Sequence, residues 1–193
     1  MSSSARSPLR RSPVDLGIIV VGLAILALDQ WAKRQVVLGL GPGAPQSSIE
    51  VVGSYIRLAY TTNTGAAFGL FPERTIVFTV VALLAIPLLV FSRLFVPADS
   101  PVVRYSLGLL LGGTLGNLVD RLRLGYVVDF VDVGINQARW PSFNVADSAF
   151  VVGVAVLALY MLFWAPEEVD RSEAGPAGQT RSPEDQPGRR PIT

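Results

Sequence analysis

The chain contains neither cysteine nor histidine. Without cysteine there is no disulfide framework and no thiol nucleophile. Without histidine there is no Ser-His-Asp triad, and without either residue no zinc site built on those ligands. Charge is scarce as well. Only 16% of the 193 residues are charged, where soluble domains carry about 25%. A net charge of +1 offers no basic field for nucleic acid. Lysine occurs once, at Lys33. A hydrolase made from this sequence therefore works with carboxylates, hydroxyls or that single amine.

What is abundant is apolar surface. Half of the residues are hydrophobic and the mean hydropathy is +0.46, which puts a membrane-embedded chain first among the classes. Four apolar stretches, 16–28, 75–92, 105–119 and 148–165, stand out. A helix needs about 20 mostly apolar residues to cross the hydrocarbon. The second and fourth stretches come close alone. The first reaches that length only by taking in Asp29, Gln30 and Lys33, the third only with Asn117 and Asp120. Polar groups at that depth are costly unless they face protein or water, which makes them functional candidates. The first stretch has the basic start and apolar core of a cleaved signal peptide. No clear small-x-small cleavage site follows it, however, and three further spans favour a retained helix.

The flanks read differently. Residues 1–13 are rich in Ser, Pro and Arg and have no acidic residue, the composition of a disordered basic arm; residues 166–193 read as a disordered polar tail. That leaves 14–165 as one four-helix membrane domain. Four spans place both termini on one side, and the arginine arm with Arg93 and Arg104 marks that side as the cytoplasm. Residues 38–73 then form a first outer loop. Its segment 49–60 is rich in Val, Ile and Tyr and follows Gly and Pro, so a small strand pair is expected there. A second outer segment covers about 121–146.

Of 15 acidic residues, six lie in the tail, Asp15 and Asp99 at the cytoplasmic edge, and Glu50 and Glu73 in the first outer loop. Asp29, Asp120, Asp129, Asp132 and Asp147 remain, all near the outer ends of the spans, and are expected to gather in one layer. Each has a bland reading beside the chemical one. Asp120 and Arg121 share a helical face with Asn117 and would serve equally as a structural polar knot. Asp129, inside the run Val127 to Val131, should be desolvated with a raised pKa, unless it simply faces water at an edge. Asp147 follows Asn144 by three residues, and on spacing alone helix capping is favoured. Asp29 and Lys33 stand at i, i+4 in the order of a helical ion pair, which also argues against a Ser–Lys dyad using that lysine in its neutral form. The third span carries Gly108, Gly112 and Gly116 on one face, allowing another helix to approach closely.

Five segments, in order, resemble the lipoprotein signal peptidase (signal peptidase II) family. They are Asp29-Gln30-Trp31-Ala32-Lys33, Asn63-Thr64-Gly65-Ala66-Ala67-Phe68, the run from Gly112 to Arg121, Gly125-Tyr126-Val127-Val128-Asp129-Phe130, and Phe143-Asn144-Val145-Ala146-Asp147-Ser148. Each alone is weak; five in sequence over residues 15–165 are specific. The resemblance implies an all-α membrane protein with four transmembrane helices and a small extracytoplasmic β-rich cradle. It further implies an aspartyl endopeptidase that acts on diacylglyceryl-modified prolipoproteins and cuts just before the lipidated cysteine. Asp129 and Asp147 match the family's catalytic pair. Asn63, Asn117, Arg121, Asn144, Asp120, Asp29 and Lys33 match its supporting positions. The same resemblance implies no metal or cofactor, inhibition by the cyclic peptide globomycin, and a setting among membrane lipids.

Two other classes compete. A small proton-linked transporter would also place carboxylates in the membrane, but would distribute polar residues through its whole depth. A non-catalytic assembly factor would need no carboxylate pair. In this sequence the polar residues gather at one end, and the second span holds only Thr79 and Pro87 against its apolar run.

Overall fold

The computed structural model describes residues 15–65, 74–92 and 100–164. The basic arm, the polar tail, Arg93 and the Ala66-Ala67-Phe68 part of one motif lie outside these residues. Four helices, α1 (Leu16–Leu40), α2 (Thr75–Val90), α3 (Pro101–Leu124) and α4 (Val145–Phe163), alternate with strands β1 (Ser48–Val52), β2 (Ile56–Asn63), β3 (Val127–Ile135) and β4 (Ala138–Arg139).

Helix α3 is the central element and packs against α1, α2 and α4. Its glycines explain how. A Cβ on Gly108 would meet Val21, one on Gly112 would meet Ile25 and the Gly22 carbonyl, and one on Gly116 would meet Asp29, so that face lies flush on α1. Gly113 faces the other way, against the Ala146 carbonyl and Phe150 of α4. Two close approaches therefore come from one helix, as small residues permit. Below them Ile18, Val103, Leu107, Leu110 and Leu111 form the buried core. At that end Asp15 caps α1 through the Gly17 N–H, and Arg104 Nε donates to Asp15 at 3.1 Å, tying the starts of α1 and α3.

Helices α1, α3 and α4 are long and apolar enough to cross a membrane. Helix α2 has 16 residues, roughly 24 Å at 1.5 Å per residue, and carries Pro87 inside it.

The four strands form one antiparallel sheet in the order β1-β2-β3-β4. The expected strand pair within 49–60 is present as β1 and β2. Strands β3 and β4, in the segment that joins α3 to α4, are an addition to that expectation. Gly125, at φ 80°, ends α3 in the left-handed conformation that glycine adopts most easily and lets the chain turn directly into β3. Phe130 of β3 packs on Val36 and Leu40, which docks the sheet on the end of α1.

Candidate active site

Strand β3 begins as a buried element: Val127, Val128, Asp129 and Phe130 are all buried. Side chains alternate along a strand, so Asp129 and Asp132 point to opposite faces. Asp129 faces the helix ends and is 2% exposed. Asp132 faces away and is held by Arg57 (2.6 Å) and Arg139 (2.9 Å). Hydrogen bonding from Arg139 and from Arg57 holds its carboxyl below the usual range, against an opposing effect of burial. The expected layer of five aspartates is therefore corrected to four, because the pleat turns Asp132 out of it.

Asp147 occupies the first turn of α4. Asn144 is the N-cap: its side-chain oxygen accepts from the Asp147 N–H at 2.8 Å, and its own N–H donates back to Asp147 Oδ2 at 3.2 Å. The capping box is real, yet it occupies one carboxylate oxygen only. Asp147 Oδ1 accepts from Asn117 Nδ2 of α3 at 2.7 Å. The same Asn144 reaches the other aspartate, its Nδ2 donating to Asp129 Oδ1 at 2.7 Å. Asn144 thus bonds both carboxylates, and it is fully buried. Asn63, at the end of β2, donates to Asp129 Oδ2 at 3.0 Å. Burial, and next the negative charge of Asp147, raise the pKa of Asp129 from 3.8 to about 7; hydrogen bonds from Asn63 and Asn144 and the charge of Lys33 act in the opposite direction.

Behind this pair lies a second layer. Lys33 Nζ contacts Asp29 at 2.9 Å, Asp120 at 2.8 Å and Asn117 at 3.1 Å, using all three donors of the ammonium. Both acids reach onward to the backbone next to the candidate pair. Asp29 accepts from the Ala146 N–H (2.9 Å) and Asp120 from the Val128 N–H (3.0 Å), each one residue before Asp147 or Asp129. The Asp29–Lys33 ion pair expected at i, i+4 is present and extends into a network that spans α1, α3, β3 and α4. Gln30, a functional candidate by its depth in the first span but given no role among the supporting positions, donates to Asp120 at 2.9 Å, to the Gly116 carbonyl at 3.2 Å and to Asp29 at 3.3 Å. Its signal was present in the sequence: an amide inside an apolar span needs a partner.

Arg121 lies on the far side of the pair. Its guanidinium donates to the Gly65 carbonyl at 3.0 Å, sits 5.7 Å from the Phe78 ring centre and interacts electrostatically with Asp147, Asp129 and Asp120. Among the described residues no cluster of three or more His, Cys, Asp or Glu is arranged to hold a metal ion.

Two kinds of surface flank the pair. Beside Asp147 an apolar groove of about 350 Å³ is lined by Trp140, Phe143, Phe150 and Val151. Beside Asp129 a cleft of about 210 Å³ is lined by Thr61, Thr62, Asn63, Thr64 and Ser142.

Known proteins share this architecture. The family model described as signal peptidase (SPase) II matches residues 21–163. The chain is 43% identical over 150 residues to the lipoprotein signal peptidase of Moorella thermoacetica, covering 78% of this chain and 95% of that protein. It is 40% identical over 152 residues to that of Halothermothrix orenii, covering 79% and 98%. A bacterial membrane enzyme solved in meso at 1.9 Å has 26% identity and a TM-score of 0.62, covering 77% of this chain and 94% of its own. A second, solved at 2.3 Å with 24% identity and a TM-score of 0.64, shares the fold. With its sequence, its helices and its relatives in agreement, the chain belongs to the signal peptidase II family.

Proposed function

We propose that this chain is a membrane aspartyl endopeptidase that removes signal peptides from diacylglyceryl-modified prolipoproteins, cutting just before the lipidated cysteine, with Asp129 and Asp147 as its catalytic pair. Protease activity on lipoprotein precursors follows from the family. The catalytic type rests on one observation: two carboxylates from separate elements bond to the same buried Asn144, and one of them has its pKa raised to about 7.

Two acids so close do not both ionise easily, so near neutral pH the pair shares a proton. The ionised member takes a proton from a water molecule as the water oxygen attacks the scissile carbonyl. The protonated member gives its proton to the carbonyl oxygen, leaving a neutral gem-diol. Collapse returns a hydroxyl proton to one carboxylate while the other protonates the departing amine, and both products leave with the proton count restored. The pair titrates as a unit, so neither aspartate has a fixed role. Asn63, Asn117 and Asn144 aim the carboxylate oxygens; Arg121 supplies positive charge at the pair; Asp29, Lys33, Asp120 and Gln30 fix the backbone that carries it. The apolar groove beside Asp147 suits a lipid-bearing or apolar stretch of substrate, and the hydroxyl-rich cleft beside Asp129 suits polar peptide on the other side of the cut.

The domain 14–165 lies in the cell membrane with all four helices crossing, α2 including residues beyond its regular part. Both termini are cytoplasmic, and the sheet forms a cradle outside, beside membrane lipid. No metal or cofactor takes part, and globomycin inhibits. A transporter finds no support in the family assignment. The test is cleavage of a lipidated precursor by purified protein, with and without globomycin. Asp129→Asn and Asp147→Asn should fold and lose at least about 10³-fold in rate, in the range set by general acid–base catalysis. Processing at the wild-type rate by either variant defeats the assignment.

A further inference from the structure

The ends of α1 and α3 nearest the sheet, with Val128 of β3, enclose a groove of about 560 Å³. Arg34 of α1 and Arg123 of α3 both line it, and both are exposed. Neither makes a side-chain hydrogen bond or ion pair among the described residues. The acid that shares the groove, Asp120, is 3% exposed and already accepts from Gln30, Lys33 and the Val128 N–H. It leaves both guanidinium groups uncompensated. The remaining walls are apolar: Trp31 is 61% exposed, Leu38 69% and Leu124 45%.

Depth decides what such a groove meets. At 1.5 Å per residue, Arg34 stands roughly 27 Å along α1 from its start and Arg123 roughly 33 Å along α3, against a hydrocarbon thickness of about 30 Å. Both side chains therefore reach the headgroup level, with Trp31 in the interfacial position that tryptophan favours. A helix C-terminus gives Arg123 a favourable place in the macrodipole, but that accounts for neither Arg34 nor the shared groove.

We infer that this groove binds one anionic phospholipid, its phosphate held between Arg34 and Arg123 and its acyl chains laid over Trp31, Leu38 and Leu124. Two guanidinium forks match phosphate oxygens in geometry as well as charge. The apolar walls select a lipid over a soluble phosphate. The site is separate from the proposed dyad, since Lys33 and Asp120 stand between them, and it does not depend on the catalytic reading.

The test uses the full chain in neutral detergent, titrated with phosphatidylglycerol or phosphatidylcholine of identical acyl chains, with bound lipid counted by native mass spectrometry. Phosphatidylglycerol should bind about tenfold more tightly, the equivalent of one net charge-assisted contact. Arg34→Gln/Arg123→Gln should bind both lipids at the phosphatidylcholine level, each single variant falling between, with melting in lipid-free detergent unchanged. Equal binding of the two lipids by the wild type, or a preference that survives the double substitution, overturns the proposal. So does glycerol 3-phosphate competing as well as the intact lipid, which would assign the arginines to a soluble anion instead.

Discussion

Replacing Lys33 by methionine keeps the length of the stem and removes only the ammonium. The structure sets the cost. Lys33 is 3% exposed, and its Nζ lies 2.9 Å from Asp29, 2.8 Å from Asp120 and 3.1 Å from Asn117. Without it two buried acids lose their only ammonium, and breaking a buried ion pair from one side costs about 3–5 kcal/mol. Chains of this size lose about 2–4 °C of Tm per kcal/mol, so a fall of roughly 6–20 °C is expected. The assay is thermal unfolding in detergent, followed by tryptophan fluorescence. A companion variant, Lys33→Met with Asp120→Asn, strands one charge fewer and should recover a substantial part of the loss. Cleavage should fall further than stability, because Asp29 and Asp120 hold the Ala146 and Val128 N–H groups beside the proposed pair. A Lys33→Met protein that melts within about 2 °C of the wild type would refute the view that this network carries the site, since even the smallest expected shift exceeds it.

Other outcomes follow from Asp129 and from the glycines. Asp129 is protonated in folded and unfolded chain alike below pH 3.8, and as pH rises through about 7 the unfolded chain ionises first. Its contribution is thus full at low pH and is lost on the way to neutrality, on the order of 4 kcal/mol in all. Asp129→Asn should gain stability over the wild type steadily from pH 4 to 7; parallel melting curves would contradict the raised pKa. For the wild type, kcat/KM should decline about tenfold per pH unit above neutrality as the shared proton is lost, and a rate still climbing at pH 9 would exclude that. Gly112→Val places a Cβ 2.6 Å from Ile25 Cβ and should cost about 1–3 kcal/mol or more by forcing α1 off α3. Gly39→Ala, where a Cβ meets nothing within 4 Å, should be neutral or gain up to about 1 kcal/mol in the same melting assay.

The helices were legible because apolar runs of that length have few other uses, and β1 and β2 because Val, Ile and Tyr cluster after Gly and Pro. Strand β3 was not. It is buried on both faces at its start, so Val127 to Val131 shows an unbroken apolar run around one aspartate instead of the alternation that marks a half-exposed strand. Missing the strand meant missing its pleat, and Asp132 was grouped with Asp129 although three residues of strand put them on opposite faces. Had the strand been read, the cross-strand neighbours Arg57 and Asp132 would have explained each other. Spacing made Asp147 a capping residue, and that is correct as far as it goes. What spacing cannot convey is that the cap, Asn144, extends its amide to a second acid on another element. Contacts between distant segments leave no period in a sequence; only the family resemblance pointed to them.

The 117 residues separating Asp29 from the Ala146 N–H it accepts bear on how the protein is made. The first helix carries Asp29 with its counter-ion Lys33 one turn away, so that charge pair is complete within a single segment. The final helix, by contrast, has its opening turn pinned by a group synthesised near the beginning. A chain that lacks that last segment leaves Asp29 without the N–H it holds and, on the proposed mechanism, supplies only one acid of the pair.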